Sequence, residues 1–182
     1  MPSYAVYLLL NHSVFKINDK IGWLIYALVF LNTCLLPLFS ALLLKKLGFV
    51  SSIEMDKQQE RNSPYFITFI FFVSTWWLLS KAPLPSMVAQ LMLGASIAIF
   101  FTGIVNYKIK ISAHMVGIGG VTGAFLVLGL GGFYDYTFFV ILCFLISGII
   151  GWARLQLKAH HPIEVYYGFL LGMLSQFIAN VI

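Results

Sequence analysis

Apolar residues dominate this chain in six long runs, separated by short polar connections. The runs cover residues 22–44, 65–81, 86–107, 114–131, 137–153 and 164–182. Each is close to the roughly 20 residues that a helix needs to cross a bilayer. None alternates apolar and polar residues as a barrel strand does, and only helices satisfy their own backbone groups in lipid at such lengths. The pattern predicts an all-α bundle of about six membrane-spanning helices.

Composition supports the same class of protein. Hydrophobic residues make up 60% of the 182 residues and charged residues 9%, and the mean hydropathy is +0.94. These values exclude a water-soluble core and indicate an integral membrane protein with a single domain over residues 1–182. Residues 1–21 contain an apolar segment that is too short to span, and no positive charge precedes it as in a secretory signal. We interpret them as a boundary helix.

The longest polar connection covers residues 45–64. Its mixed charges, followed by Pro64, predict a short surface helix that ends at the proline. Both cysteines, Cys34 and Cys143, lie inside apolar runs and have no metal-ligand partner at close spacing. The cysteines therefore do not predict a metal site or a cofactor.

The ends of successive spans must alternate between the two sides of the membrane. We call the side that holds residues 108–113 side A and the opposite side B. The count of spans then places the 45–64 connection and residues 154–164 on side A as well. Most basic residues fall there, namely Lys45, Lys46, Lys57, Arg61, Lys108, Lys110, Arg154 and Lys158, against Lys16, Lys20 and Lys81 on side B.

This concentration of positive charge has two interpretations. The first is the positive-inside rule, under which lysines orient helices, and it accounts for Lys45, Lys46 and Lys108. The second interpretation is an anion-binding site, because guanidinium and ammonium groups at a dry interface bind phosphate. We favour it for Arg154 and Lys110, each of which has a histidine at short spacing. The pI near 9.3 does not indicate nucleic-acid binding, since membrane headgroups explain these lysines.

Ionisable residues beside hydrocarbon are costly, which makes the histidines of side A candidates for chemistry. His160 and Glu164 are four residues apart and would share a helix face. The carboxylate can fix the tautomer of the imidazole and leave its other nitrogen free as a base or nucleophile. His161 competes for this role, but it directly precedes Pro162. His114, at the start of another span, is either an interfacial cap or a catalytic group.

Two short segments carry a resemblance to a known family. Ile111-Ser112-Ala113-His114 resembles the Pro-Ser-Gly-His motif of the type 2 phosphatidic acid phosphatase superfamily. Arg154-x5-His160-x3-Glu164 resembles its Ser-Arg-x5-His-x3-Asp motif. The resemblance covers residues 110–172. The chain also looks like a bacterial branch with a Glu-Met-x5-Arg loop, here Glu54, Met55 and Arg61.

The resemblance implies a role for each matching residue. His160 would attack phosphorus, Glu164 would orient it, and His114 would protonate the departing lipid oxygen, while Arg154 and Ser112 would hold phosphate oxygens. The sequence departs from the family pattern at Ile111, Ala113, Ala153 and Glu164, and it has no Lys-x6-Arg-Pro motif. From the topology we expect Lys57, Arg61 and Lys110 to supply the missing positive charge.

The leading expectation is a metal-independent membrane hydrolase that removes phosphate from a lipid phosphate or diphosphate through a phosphohistidine. A second is an inactive lipid-phosphate-binding or transport protein of the same fold, and a third is a haem or metal protein that uses His114 and His160. The substrate could be phosphatidate, phosphatidylglycerol phosphate, undecaprenyl diphosphate or a lipid A phosphate. We expect a bacterial inner membrane; the resemblance places the site outside the cytoplasm, whereas the basic residues place side A inside.

Two glycine patterns have a structural interpretation. Residues 117–123 contain four glycines inside a span, where small residues let helices approach one another. Gly168 and Gly172 have the same spacing in the last span, where they predict helix packing and also suit a homodimer contact.

Overall fold

The structure is a computed structural model, which describes residues 19–52, 55, 57–131 and 135–181. All regular elements in these residues are helical, which confirms the predicted all-α fold. A π-helical turn over Leu31–Leu35 joins the first two helices, and a 3-10 turn over Gln58–Arg61 leads into the third. The helices are α1 (Asp19–Phe30), α2 (Leu36–Lys46), α3 (Asn62–Lys81), α4 (Ser86–Asn106), α5 (Ala113–Leu130), α6 (Thr137–Gln156) and α7 (Pro162–Val181).

Five helical stretches of the described residues are long and apolar enough to cross a membrane. They are Ile21–Lys46, Gln58–Lys81, Ser86–Asn106, Ala113–Leu130 and Thr137–Gln156. The sixth predicted span is a 20-residue helix, α7, which does not join them. It carries Glu164, Gln176 and Asn180, and these polar residues lower its apolarity. The chain is an integral membrane protein in which α7 packs centrally.

Close packing of α7 against α5 depends on glycines of both helices. A Cβ on Gly119 or Gly123 of α5 would overlap backbone atoms of Phe169 or Met173 in α7. A Cβ on Gly172 would likewise overlap the backbone of Val116. Helix packing is therefore confirmed as the role of these glycines. Because Gly168 and Gly172 are buried inside the molecule, they do not offer a surface to a second copy.

The structure corrects the predicted 45–64 connection. Lys45 and Lys46 end α2, so the connection spans only residues 47–57, of which 53, 54 and 56 lie outside the described residues. Pro64 does not end a surface helix but is the third residue of α3. A proline is tolerated there because N–H groups in the first turn have no partner within the helix. The predicted boundary helix lies outside the described residues except for residues 19–21, where α1 begins.

The order of the helices brings five helix ends together on side A. These are the starts of α3, α5 and α7 and the ends of α4 and α6. Hydrogen bonds join them directly, from Asn106 to Gln58, from Arg154 to His114 and from His160 to Lys110. The two sequence segments that carry the resemblance therefore meet at one end of the bundle.

Candidate functional site

The turn between α6 and α7 sets the position of His160. Lys158 adopts a left-handed conformation with φ +49°. Its N–H donates to Leu155 O at 3.0 Å, and the Ala159 N–H donates to Arg154 O at 3.2 Å. This is the Schellman arrangement of hydrogen bonds, which ends a helix and reverses the chain. The five residues between Arg154 and His160 are therefore the last turn of α6 and its cap.

His160 is held by two acceptors on one side of its ring. Its Nδ1 lies 2.8 Å from Glu164 Oε2 and 3.0 Å from the backbone oxygen of Lys110. Both partners only accept, so Nδ1 carries the proton and Nε2 has the lone pair. The ring is buried, with 9% of the residue exposed, whereas His161 is exposed. The structure thus brings the imidazole ring of His160 against the carboxylate, whereas His161 contacts it through its backbone N–H.

Glu164 also caps the helix that carries it. Its Oε2 accepts the backbone N–H of His161 at 3.1 Å, just before Pro162 starts α7. A glutamate at the third helical position commonly reaches back to the N-cap in this way, and the helix dipole favours its charge there. This contact explains how the longer glutamate folds back to reach His160. One carboxylate oxygen serves both the helix and the imidazole.

The surroundings of His160 favour its neutral form. Burial lowers the pKa of its imidazole below the ordinary value of 6.5, and the positive charge of Arg61 lowers the pKa further. The hydrogen bond and negative charge of Glu164 oppose this shift in part. At neutral pH, His160 therefore presents an unprotonated Nε2, as a nucleophile requires.

Arg154 faces the second histidine. Its Nη2 lies 2.7 Å from His114 Nδ1 and also contacts Nε2 of the same ring. The His114 side chain is exposed, and it lies within electrostatic range of His160 and Arg61. The two histidines and Arg154 thus form one cluster.

Arg61 reaches the same cluster from the start of α3. It lies within electrostatic range of both His114 and His160. Its Nε donates to the backbone oxygen of Met55 at 2.8 Å, and Met55 has φ +50°. Arg61 therefore adds a second guanidinium to the site, held by the loop that precedes it. Glu54, the other residue of that loop pattern, lies outside the described residues.

Sequence reasoning missed the polar contacts that hold the start of α3. The buried Asn106 amide donates to Gln58 O at 2.9 Å and to Asn62 Oδ1 at 2.8 Å, and Gln58 Nε2 donates to the Asn106 carbonyl. These bonds tie the 3-10 turn that ends at Arg61 to the end of α4. An asparagine at the boundary of an apolar run was the one feature of the sequence that could have predicted these contacts, because a buried polar group needs a hydrogen-bond partner.

The other predicted phosphate ligands are placed differently. Lys57 is 76% exposed in its side chain, and its Nζ lies 3.9 Å from Glu60 Oε1. Lys110 contributes its backbone carbonyl to His160. Ser112 has no exposed surface, and its hydroxyl has no hydrogen-bond partner in the described structure. The site would have to open before a phosphate oxygen reached that hydroxyl.

Comparison with known proteins does not assign the chain to a family. No protein-family model matches it, and neither a curated protein nor a solved structure does. Among the described residues, no three His, Cys, Asp or Glu side chains are grouped so as to hold a metal ion. Fold and site define an all-helical integral membrane protein in which a buried His–Glu pair, a second histidine and two arginines lie at one end of the bundle.

Proposed function

We propose that this protein is a membrane phosphatase that hydrolyses a lipid phosphate or diphosphate through a phosphohistidine at His160. The observation that carries the proposal is the position of His160 Nδ1, which lies 2.8 Å from Glu164 Oε2 and 3.0 Å from the Lys110 carbonyl oxygen, an arrangement that favours a lone pair on Nε2. The same end of the bundle carries the guanidinium of Arg154, which contacts His114, and that of Arg61, which lies within electrostatic range of both histidines. Phosphoryl transfer mainly needs a positioned nucleophile and positive charge around the phosphate oxygens.

The reaction would proceed in two balanced steps. His160 Nε2 attacks phosphorus, so that an N–P bond forms as the bond from phosphorus to the lipid oxygen breaks. The lipid oxygen leaves with a proton. Water then attacks the phosphorus and gives one proton back to His114, the N–P bond breaks with its electron pair returning to His160 Nε2, and inorganic phosphate leaves. Glu164 stabilises the positive charge that the imidazole acquires in the first step.

His114 would supply the proton for the departing lipid oxygen. In this structure, Arg154 Nη2 contacts the imidazole of His114. A phosphate that binds Arg154 would draw the guanidinium away and add negative charge beside the imidazole. Both changes favour a protonated His114. Substrate binding would thus convert His114 into the general acid for the departing lipid oxygen.

The resemblance of residues 110–172 to the type 2 phosphatidic acid phosphatase superfamily supports the same activity. Ala153 lacks the hydroxyl of the family's serine, and the family's first motif is absent. In our proposal, the guanidinium of Arg61 supplies the positive charge of that missing motif, and Lys57 does not contribute to it. We further propose that the enzyme works in a bacterial inner membrane.

Phosphate release from purified protein tests the proposal. In detergent with EDTA, the protein should release phosphate from at least one lipid in a panel of phosphatidate, phosphatidylglycerol phosphate, undecaprenyl diphosphate and lipid A phosphate. Labelling with a ³²P-substrate and rapid quenching should give an acid-labile, alkali-stable phosphoprotein, as expected of a phosphohistidine. Absence of release from every lipid by folded protein would overturn the phosphatase and leave a protein that binds or transports lipid phosphates.

Replacement of Arg61 by Gln should shift the acid limb of the kcat/KM profile to higher pH. Protonation of His160 removes the nucleophile, so activity falls as pH decreases through the lowered pKa, below 6.5. Loss of the Arg61 charge removes one of the causes of that lowering. Lys57→Gln is the matched control, because it removes an exposed cation from the same loop. An unshifted limb in Arg61→Gln, or an equal shift in Lys57→Gln, would contradict this assignment.

A further inference from the structure

A groove opens between α6 and α7 within the membrane-spanning part of the molecule. Its volume is about 390 Å³, and α5 forms its floor with Met115. Gly148 and Gly151 line the α6 wall, and Val165 and Phe169 line the α7 wall. A Cβ on Gly148 would meet nothing within 4 Å, which shows how open the groove is at this level.

Groove and site are built on the same three helices. Each of the three helices carries a site residue next to a groove residue: His114 precedes Met115, Arg154 precedes Leu155, and Glu164 precedes Val165. The side A end of the groove and the candidate site therefore lie at the same end of these three helices.

The length of the groove matches one leaflet of a membrane. On α6 it runs from Leu155 to Phe144, which is roughly 16 Å at the helical rise. Half of the hydrocarbon core is about 15 Å. At the lower end, the rings of Phe144 and Phe169 lie with centroids 5.8 Å apart. The groove is thus about as long as one leaflet is deep.

The residues that line the groove favour an apolar ligand. On the α6 wall, Ser147 bears a hydroxyl, and this Oγ donates to the backbone oxygen of Cys143 at 2.6 Å. Trp152 and Tyr166 lie toward the side A end, where amphipathic rings suit the membrane interface. A hydrocarbon chain would pack along the glycine wall without leaving a polar group unsatisfied.

We infer that this groove binds one acyl chain of the substrate, so that a diacyl lipid phosphate enters sideways from the side A leaflet with its phosphate at His160. This inference rests on the proposed function and narrows it to acyl lipids. An acyl chain matches the depth of one leaflet. Part of the binding free energy of the chain would then hold the phosphate against the nucleophile.

Gly148→Phe tests the inference, because the ring would fill the groove at a position with no neighbour to displace. For dipalmitoyl phosphatidate we expect KM to rise by roughly tenfold or more, the loss expected if two or more methylenes are no longer buried. For dihexanoyl phosphatidate, whose chains are short, kcat/KM should be unchanged. Gly22→Phe in α1 is the matched control, since its Cβ also meets nothing. Equal effects of Gly148→Phe on both lipids would overturn the inference.

A binding measurement distinguishes failure of this inference from failure of the proposed phosphatase activity. Phosphatidate with a diazirine near the end of one acyl chain should crosslink, on illumination in detergent, to residues of α6 and α7 that line the groove. Gly148→Phe should abolish that crosslink, and Gly22→Phe should not. Crosslinks spread equally over exposed helix faces would overturn the groove, whether or not the protein releases phosphate.

Discussion

His160→Asn should lower kcat for lipid-phosphate hydrolysis by roughly 10³-fold or more, because it removes the atom that attacks phosphorus. The asparagine amide retains a hydrogen-bond donor on the side of Glu164, and we expect the fold to survive. Phosphate release and ³²P labelling of the protein measure the effect. Both should be lost together, since the proposed phosphoenzyme is an obligatory intermediate.

His161→Asn is the matched control for this prediction. His161 is the next residue, is exposed, and uses its backbone N–H rather than its ring to contact Glu164. Its replacement should leave kcat within about twofold of the wild type, as is usual for surface positions away from the chemistry. Loss of activity in His161→Asn with retention in His160→Asn would reverse the assignment of the nucleophile.

Gly119→Ala should destabilise the bundle by about 3 kcal/mol or more, which lies at or above the upper end of overpacking effects. The added Cβ would overlap the backbone carbonyl of Phe169 and lie 3.0 Å from its Cα. Backbone atoms cannot rotate away as a side chain does, so α5 and α7 would have to separate. We expect a large fall in the thermal midpoint in detergent, or loss of folded protein on purification.

Gly120→Ala provides the comparison at the neighbouring position. A Cβ on Gly120 would lie 3.8 Å from the Gly172 carbonyl oxygen, an ordinary contact. Alanine also favours a helix over glycine by about 1 kcal/mol. The thermal midpoint of Gly120→Ala should therefore equal or exceed that of the wild type. A similar loss of stability in both variants would show that close approach at Gly119 is not the cause.

Much of the candidate site could be anticipated from the sequence because its residues are close together along the chain. His160 and Glu164 lie four residues apart at the start of one helix, and counting spans placed His114 at the same end of the bundle. Arg61 was also expected there from the topology. Its loop contact with Met55 and its attachment to Asn106 were not, because these bonds join segments far apart in sequence.

Two expected phosphate ligands, Lys57 and Ser112, show what the order of spans leaves open. Lys57 lies on the same side of the membrane as Arg61, but it precedes the 3-10 turn that ends at Arg61, and it pairs with Glu60. Ser112 lies next to the site in sequence yet is buried where the chain enters α5. The direction of a side chain depends on the local backbone and on its neighbours, which the order of spans does not specify.

The sequence by itself determined that this protein lies in a membrane, that it is helical, and at which end of the bundle its ionisable residues gather. Apolar runs of bilayer length leave the backbone no other way to satisfy its hydrogen bonds in lipid. Only the tertiary structure decided that α7 lies centrally against α5, that Arg154 faces His114, and that α6 and α7 leave a groove between them. Those features depend on which helix faces meet, and the nearly uniform apolarity of the spans does not encode that choice.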